Sequence, residues 1–362
     1  MDTRTALPRK LFAGITVALL LALSGCGGGG GESASVVTPP PPPVPVPVVP
    51  TLSVLAGGTE SGNVDGTGSA ARFSNPGALG IDAAGNLYVA DQRNNAIRRV
   101  TPGGVVSTFA SNVGTKEVLT NTGSFQADEF RIELTVDKLG NVVITDENAH
   151  LASLILPDGS KRVIAGSQWP HGSLTGLGAF VGHSSPKSVT SDSSGNFYTV
   201  DQQQIRKFAL AGVDSVVTCS NGNLCLVAGG GGIAVDPLGN IFVVSGYGHS
   251  VSKITLNGVA TILAGSDSLG FTDGTGTAAR LNYPAALVID AAGNLLLADT
   301  SNNAVRKITP AGVVTTIAGK PGASGVQPGP LPASLPLPRG IAVHTDGTIY
   351  VTSENAILKI QP

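Results

Sequence analysis

The chain has 362 residues, 49 of them glycine and 24 proline, and only 13% are charged, against roughly 25% in an average globular chain. Its formal net charge is −2 and no Lys/Arg cluster stands out, which argues against nucleic acid as a partner. About 310 residues follow the proline-rich stretch near the N-terminus, enough for one large all-β domain.

In chain order, Arg4, Arg9 and Lys10 precede an apolar run from Leu11 to Leu23, followed by Leu23-Ser24-Gly25-Cys26. A basic region, a short apolar region and small residues at its end describe a secretory signal over 1–25. The run is short for a transmembrane helix. Leu-Ser-Gly-Cys resembles the lipobox of bacterial lipoproteins, which implies that Cys26 becomes the lipidated first residue of the mature chain. An uncleaved N-terminal anchor is the alternative. Each buried CH₂ of an acyl chain adds about 0.8 kcal/mol, so several chains hold a soluble domain on a bilayer. Gly27 and Gly28 lack the Asp that would resemble an inner-membrane retention signal. The expected location is therefore the bacterial cell envelope, at the outer membrane, on its periplasmic side or its surface. Removing 1–25 takes away Asp2, Arg4, Arg9 and Lys10, a net +2, and leaves the mature chain at −4.

Residues 26–50 read as a linker. Gly27–Gly31 is flexible, and Thr38–Pro50 is too rich in Pro for a helix or a ladder. As polyproline II, Pro39–Pro50 would span roughly 37 Å, a spacer that lifts the following domain off the membrane.

The stretch from Tyr283 to Gly319 shows how residues 51–362 are organised. Four short apolar runs are separated by Asp290-Ala-Ala-Gly-Asn294, Asp299-Thr-Ser-Asn-Asn303 and Thr309-Pro-Ala-Gly312. Such links predict a four-stranded antiparallel meander. The first-hairpin motif recurs at Asp82–Asn86, Asp137–Asn141, Asp192–Asn196, Asp236–Asn240 and Asp290–Asn294, with a variant at His344–Thr348. Its glycines are 55, 55, 44, 54 and 54 residues apart. Six units of this period predict an all-β fold, a six-bladed β-propeller of four-stranded antiparallel blades. The Asp of each motif is expected to accept turn N–H groups, with Gly supplying the positive φ.

Val89-Ala-Asp91 and Leu297-Ala-Asp299 are followed by Asn94-Asn-Ala-Ile-Arg98 and Asn302-Asn-Ala-Val-Arg306. With Gly85-Asn-Leu-Tyr-Val-Ala-Asp91 they resemble the NHL-repeat family of β-propellers, over residues 51–362. The resemblance is strong in the first and fifth units and weaker in the others. The last unit ends at Pro362 without a fourth strand. Thr51-Leu-Ser-Val-Leu-Ala-Gly57 resembles the fourth strands Thr315–Gly319 and Thr261–Gly265, so the N-terminal strand is expected to complete the last blade.

Two blade-to-blade links are near copies, Asp65–Pro76 and Asp273–Pro284, and Arg72 and Arg280 are expected to tie them down. Their Asp-Gly-Thr-Gly piece has some likeness to a Ca²⁺ loop but lacks the repeated acidic positions and the terminal Glu. No cofactor or metal is therefore expected. Cys219 and Cys225 form an even pair in an exported domain and suggest a disulfide.

Enzymes exist on this architecture. The NHL-like peptidyl-hydroxyglycine lyases bind zinc through histidines after a Pro at the start of inner strands, but here the corresponding residues are Gly77, Lys187, Ala285 and Arg339. No catalytic residues are assigned. The leading expectation is a membrane-tethered binding or interaction module whose loop face takes a protein, peptide or glycan. The alternatives are a hydrolase or lyase, lactonase-like, with a metal site at the central channel, and a structural element. Residues that break the repeat are the binding candidates: Trp169, His171 and His183 in the third link, Tyr247 and His249 where the fourth unit loses its Asp, and Glu354 in the sixth.

Overall fold

The computed structural model describes residues 49–115, 132–166, 176–177, 183, 185–210, 213–220 and 230–361. The chain divides into Met1–Pro47 and Val48–Pro362, and the second unit carries the repeats.

Each repeat begins from its first turn. Asp82 Oδ1 accepts the backbone N–H groups of Ala84 at 3.0 Å and Asn86 at 2.8 Å, while Oδ2 accepts from Asn86 Nδ2 at 2.9 Å. Gly85 has φ +79°, a conformation that L side chains resist. The same three bonds form at Asp137, Asp192, Asp236 and Asp290. In the sixth turn Asp346 accepts from Thr348 instead. This turn sets the register of the two strands it joins. In the first blade they are Pro76–Ile81 and Leu87–Asp91, followed by Ala96–Val100 and Val105–Ser111.

Among the described residues six such antiparallel sheets form the six-bladed propeller. The inner strands are Pro76–Ile81, Ile132–Val136, Pro186–Ser191, Gly230–Val235, Ala286–Ile289 and Ile341–Val343. In the last blade the N-terminal strand Thr51–Gly58 lies antiparallel along Asn355–Gln361, from Thr51 opposite Gln361 to Gly58 opposite Asn355. Leu52 and Ala56 of that strand are buried.

Four blades depart from the expected four strands. Gly66–Thr67 pairs with Val105–Ser111, Gly274–Thr275 with Val313–Gly319, Gly329–Pro330 with Thr51–Gly58, and Gly176–Leu177 with Val213–Val216. All four of these short strands belong to links that must cross from an outer edge to the axis. In doing so they satisfy part of the outer strand's open ladder, a standard cover for an exposed edge.

The core is divided among the contacts between blades. One apolar cluster fills each of the six interfaces. The second strand of the fifth blade shows why. Leu295 and Leu297 pack toward the fourth blade and Leu296 toward the sixth, the period-two alternation of a strand buried on both faces. This explains why the second strands read as continuous apolar runs.

A candidate ligand funnel at the channel mouth

One residue at the start of each inner strand borders the channel at its mouth. In blade order these are Gly77, Glu133, Lys187 and Gly231, each second in its strand, and Ala285 and Arg339, which stand one and two residues before theirs, and they line two adjoining cavities. Three are small and leave open space, and three are charged. The first cavity measures about 460 Å³ and is also lined by Gln92, Glu147 and Thr300 from turns between the second and third strands. The second, about 380 Å³, shares Glu133, Glu147, Lys187 and Ala285 and reaches Tyr247 and Tyr283. Below them a narrower space of about 80 Å³ runs down the channel past Glu133, Ser188, Gly232 and Gly340. Together they form a funnel on the face built from the second-to-third-strand turns and the blade-to-blade links.

Polar bridges between neighbouring blades hold the rim. Gln92 Nε2 donates to the Ile132 carbonyl at 2.6 Å, and its Oε1 accepts the Ile132 N–H at 3.1 Å, which fixes the strand carrying Glu133. Thr300 Oγ1 donates to the Pro338 carbonyl at 2.7 Å, beside Arg339. Ser185 Oγ donates to Glu147 Oε1 at 2.8 Å, and Lys187 Nζ stands 3.9 Å from the same oxygen.

Glu133 and Arg339 differ from these. With the described residues Glu133 makes no hydrogen bond and no ion pair, although it borders all three spaces. Burial, reinforced by the negative charge of Glu147 and opposed by Arg339, pushes its carboxyl up to about 8. The Arg339 side chain is exposed to the funnel and likewise has no partner among the described residues.

Behind the rim, buried arginines lock the turns. The Arg98 guanidinium donates to Asp91 Oδ2 at 2.8 Å and Asp65 Oδ1 at 2.6 Å, over the Phe73 ring. Arg306 does the same with Asp299 and Asp273, both at 2.7 Å, over Phe271. Desolvation raises the Asp91 and Asp299 carboxyls despite their Asn and Arg partners. Desolvation also opposes ionisation of Asp65, but bonds from Thr108 and Arg98 outweigh it and hold that carboxyl low. In the third blade Arg206 pairs with Asp214 at 2.9 Å, so an outer-strand Asp takes the place of the link Asp. Arg72 and Arg280 brace their own links by donating to the carbonyls of Ser69 and Ala71 and of Thr277 and Ala279.

The binding candidates read from the sequence are dispersed. Trp169 and His171 lie outside the described residues. His183 is fully buried, with Nε2 3.1 Å from Asp214 Oδ2, so it belongs to the interior of the third blade and not to the loop surface. His249 is also buried, and its Nδ1 accepts the Tyr283 N–H at 3.2 Å. Glu354 is exposed, with φ +51° in its turn. Positive φ recurs in the second-to-third-strand turns at Asn95, His150, Gln202, His249, Asn303 and Glu354. His249 and Glu354 thus occupy the backbone position that Asn fills in the first and fifth blades. Of the described members of the set only Tyr247 reaches the funnel; it is 75% exposed and meets the Tyr283 ring edge-on at 6.0 Å. Cys219 is disulfide-bonded, while Cys225 lies outside the described residues.

Sequence reading missed Glu133 as a site residue. It follows Ile132, not Pro, so the Pro-plus-one rule that locates Gly77, Lys187 and Arg339 passes over it. Counting back eight residues from the first-hairpin glycines gives Gly77, Lys187, Gly231, Ala285 and Arg339 but Ile132 in the second blade, so that alignment misses Glu133 by one residue; the register shift present in the first hairpins of the first, third and fourth blades is absent from the second. Among the described residues no three His, Cys, Asp or Glu side chains converge as a metal-ligand set.

The fold and funnel define a six-bladed β-propeller with a polar mouth. No protein-family model matches the chain. Protein suppressor of quenching 1, chloroplastic, of Arabidopsis thaliana is 27% identical over 286 residues, which cover 69% of this chain and 26% of that protein. The chain thus spans about a quarter of that relative's length. An auxiliary nutrient binding protein from Bacteroides thetaiotaomicron is similar in structure, with a TM-score of 0.65 at 17% identity over 86% of this chain and 76% of that one. A gluconolactonase from Xanthomonas campestris superposes with a TM-score of 0.56 at 11% identity, covering 90% and 98%. At these identities the likeness to the two structures is one of fold.

Proposed function

We propose that this chain is an NHL-type propeller of the bacterial cell envelope that captures a small polar ligand at its channel mouth. Lipid on Cys26 tethers it and the Pro-rich segment spaces it from the membrane. The observation that carries this reading is the six-membered ring at the funnel. Gly77 and Ala285 line a cavity of about 460 Å³ and Gly231 lines the adjoining one of about 380 Å³, both the size of ordinary small-molecule sites, while Glu133 and Arg339 border the first without a hydrogen bond or ion pair to the described residues. Ionisable groups without hydrogen-bonding partners in a concavity are expected where a ligand supplies the missing contacts. The nutrient-binding role named for the Bacteroides propeller agrees with this reading.

The test is a thermal-shift panel of small sugars, sugar acids, amino acids and dipeptides on the full mature chain, wild type and Tyr247→Ala. At least one compound should raise the wild-type melting temperature in a saturable manner, with a weaker response in the variant. A panel without any saturable shift, or one on which Tyr247→Ala has no effect, contradicts the proposal.

A further inference from the structure

Resting on that reading, the charge pattern narrows the ligand. We propose that the funnel selects small organic carboxylates, with the carboxylate seated between Arg339 and the Glu133 carboxyl group and the body of the ligand against Tyr247. Three observations converge on this. Arg339 presents five fixed donors to the cavity, and none is engaged by a described residue. The other cation of the ring, Lys187, already faces Glu147 at 3.9 Å, so Glu147 offsets Lys187 and leaves Arg339 uncompensated. Glu133 lies in the same cavity, and at neutral pH its carboxyl is largely protonated, since burial and Glu147 hold it up to about 8. A neutral carboxyl group donates a hydrogen bond where a carboxylate would repel an anion. Among the described residues the lining therefore carries a net positive charge, in a mature chain that is negative overall.

Tyr247 and Tyr283 form the adjoining wall, with Gly230, Gly231 and Gly232 as its floor. Their ring centroids are 6.0 Å apart at 83°. A side chain at Gly231 would crowd Val244, because a Cβ there would stand 3.0 Å from it. The arrangement offers an aromatic surface beside a flat backbone, suited to a six-membered ring.

The test holds the ring constant and varies the charge. D-Glucuronate, D-glucose and D-glucosamine are titrated against the full mature chain by ligand-observed NMR, with benzoate as an aromatic acid. Glucuronate is expected to bind at least tenfold more tightly than glucose, and glucosamine more weakly still. Relative affinity for benzoate separates a sugar-acid from an aromatic-acid preference. Arg339→Ala should weaken carboxylate binding at least tenfold, with an unchanged melting temperature showing that the exposed side chain is not needed for folding. Between pH 6.5 and 9 the wild-type affinity for glucuronate should fall at least threefold as Glu133 ionises. Glu147, Lys187, Arg339 and the Tyr247 and Tyr283 hydroxyls face the same space, so the assignment rests on Glu133→Gln, which should flatten the profile.

Equal or better binding of glucose or glucosamine, an Arg339→Ala variant that binds like wild type, or affinity that rises with pH would each overturn the proposal. In those cases, sensitivity to Tyr247→Ala keeps the funnel as a binding site. If neither carboxylate binds, carboxylate selection is overturned, and the metabolite panel decides separately whether the funnel binds anything.

Discussion

At the scale of single residues, Glu133 makes the sharpest prediction for the protein without ligand. Its carboxyl is raised from 4.5 to about 8, so between those values the folded chain keeps a proton that the unfolded chain releases. Stability then falls as pH rises from 4.5 through about 8 and levels off above it. Glu133→Gln cannot ionise. It should match wild type near pH 4.5 and exceed it near pH 8.5 by on the order of 2 kcal/mol, less than the full shift implies because the side chain keeps contact with channel solvent. Urea denaturation of both proteins across this range measures the difference, and parallel curves would contradict the assignment. This residue was not legible in advance, since a lone Glu after Ile carries no motif. The buried arginines were half legible. Asp91 and Arg98 stood out as part of a repeated pattern, but their ion pair depends on the turn between two strands, and Asp65 joins only because the link folds back beside them.

At the scale of elements, the five Asp-x-x-Gly-Asn hairpins were readable because each is local: donor, acceptor and glycine lie within five residues. The second-to-third-strand turns misled for the opposite reason. His249 and Glu354 broke the pattern in sequence yet share the positive φ of Asn95 and Asn303, so their irregularity is partly one of side chain on a common backbone. The added two-residue strands were not foreseen, because nothing in Gly-Thr or Gly-Pro signals a strand until the outer edge beside it is in place. The strand Thr51–Gly58 carries the most consequence of any single element, since it pairs the first described segment with the last. Deleting Thr51–Ala56 removes the buried Leu52 and Ala56 and uncovers Asn355–Gln361. Loss of one buried Leu alone costs about 2–5 kcal/mol, so the deletion should lower the calorimetric melting temperature by several degrees or cause aggregation. An unchanged transition would mean that the strand is dispensable for closing the ring.

At the scale of the whole molecule, the six-bladed architecture was legible from the period of the repeat. The funnel was not, because its six residues are 44 to 56 positions apart in sequence and meet only once the ring is formed. The opposite face has its own concavity of about 570 Å³ around Asp290, Gly293 and His344, which supplies an internal comparison. The central claim is that ligand binds at the mouth formed by Gly77, Glu133, Lys187, Gly231, Ala285 and Arg339. A crystal structure of the mature chain with the compound that most raises its melting temperature tests this claim most directly. The account predicts ligand density in the funnel, touching Arg339 and bordered by Tyr247. Density confined to the opposite concavity or to the outer strands, with the funnel holding solvent alone, would contradict it.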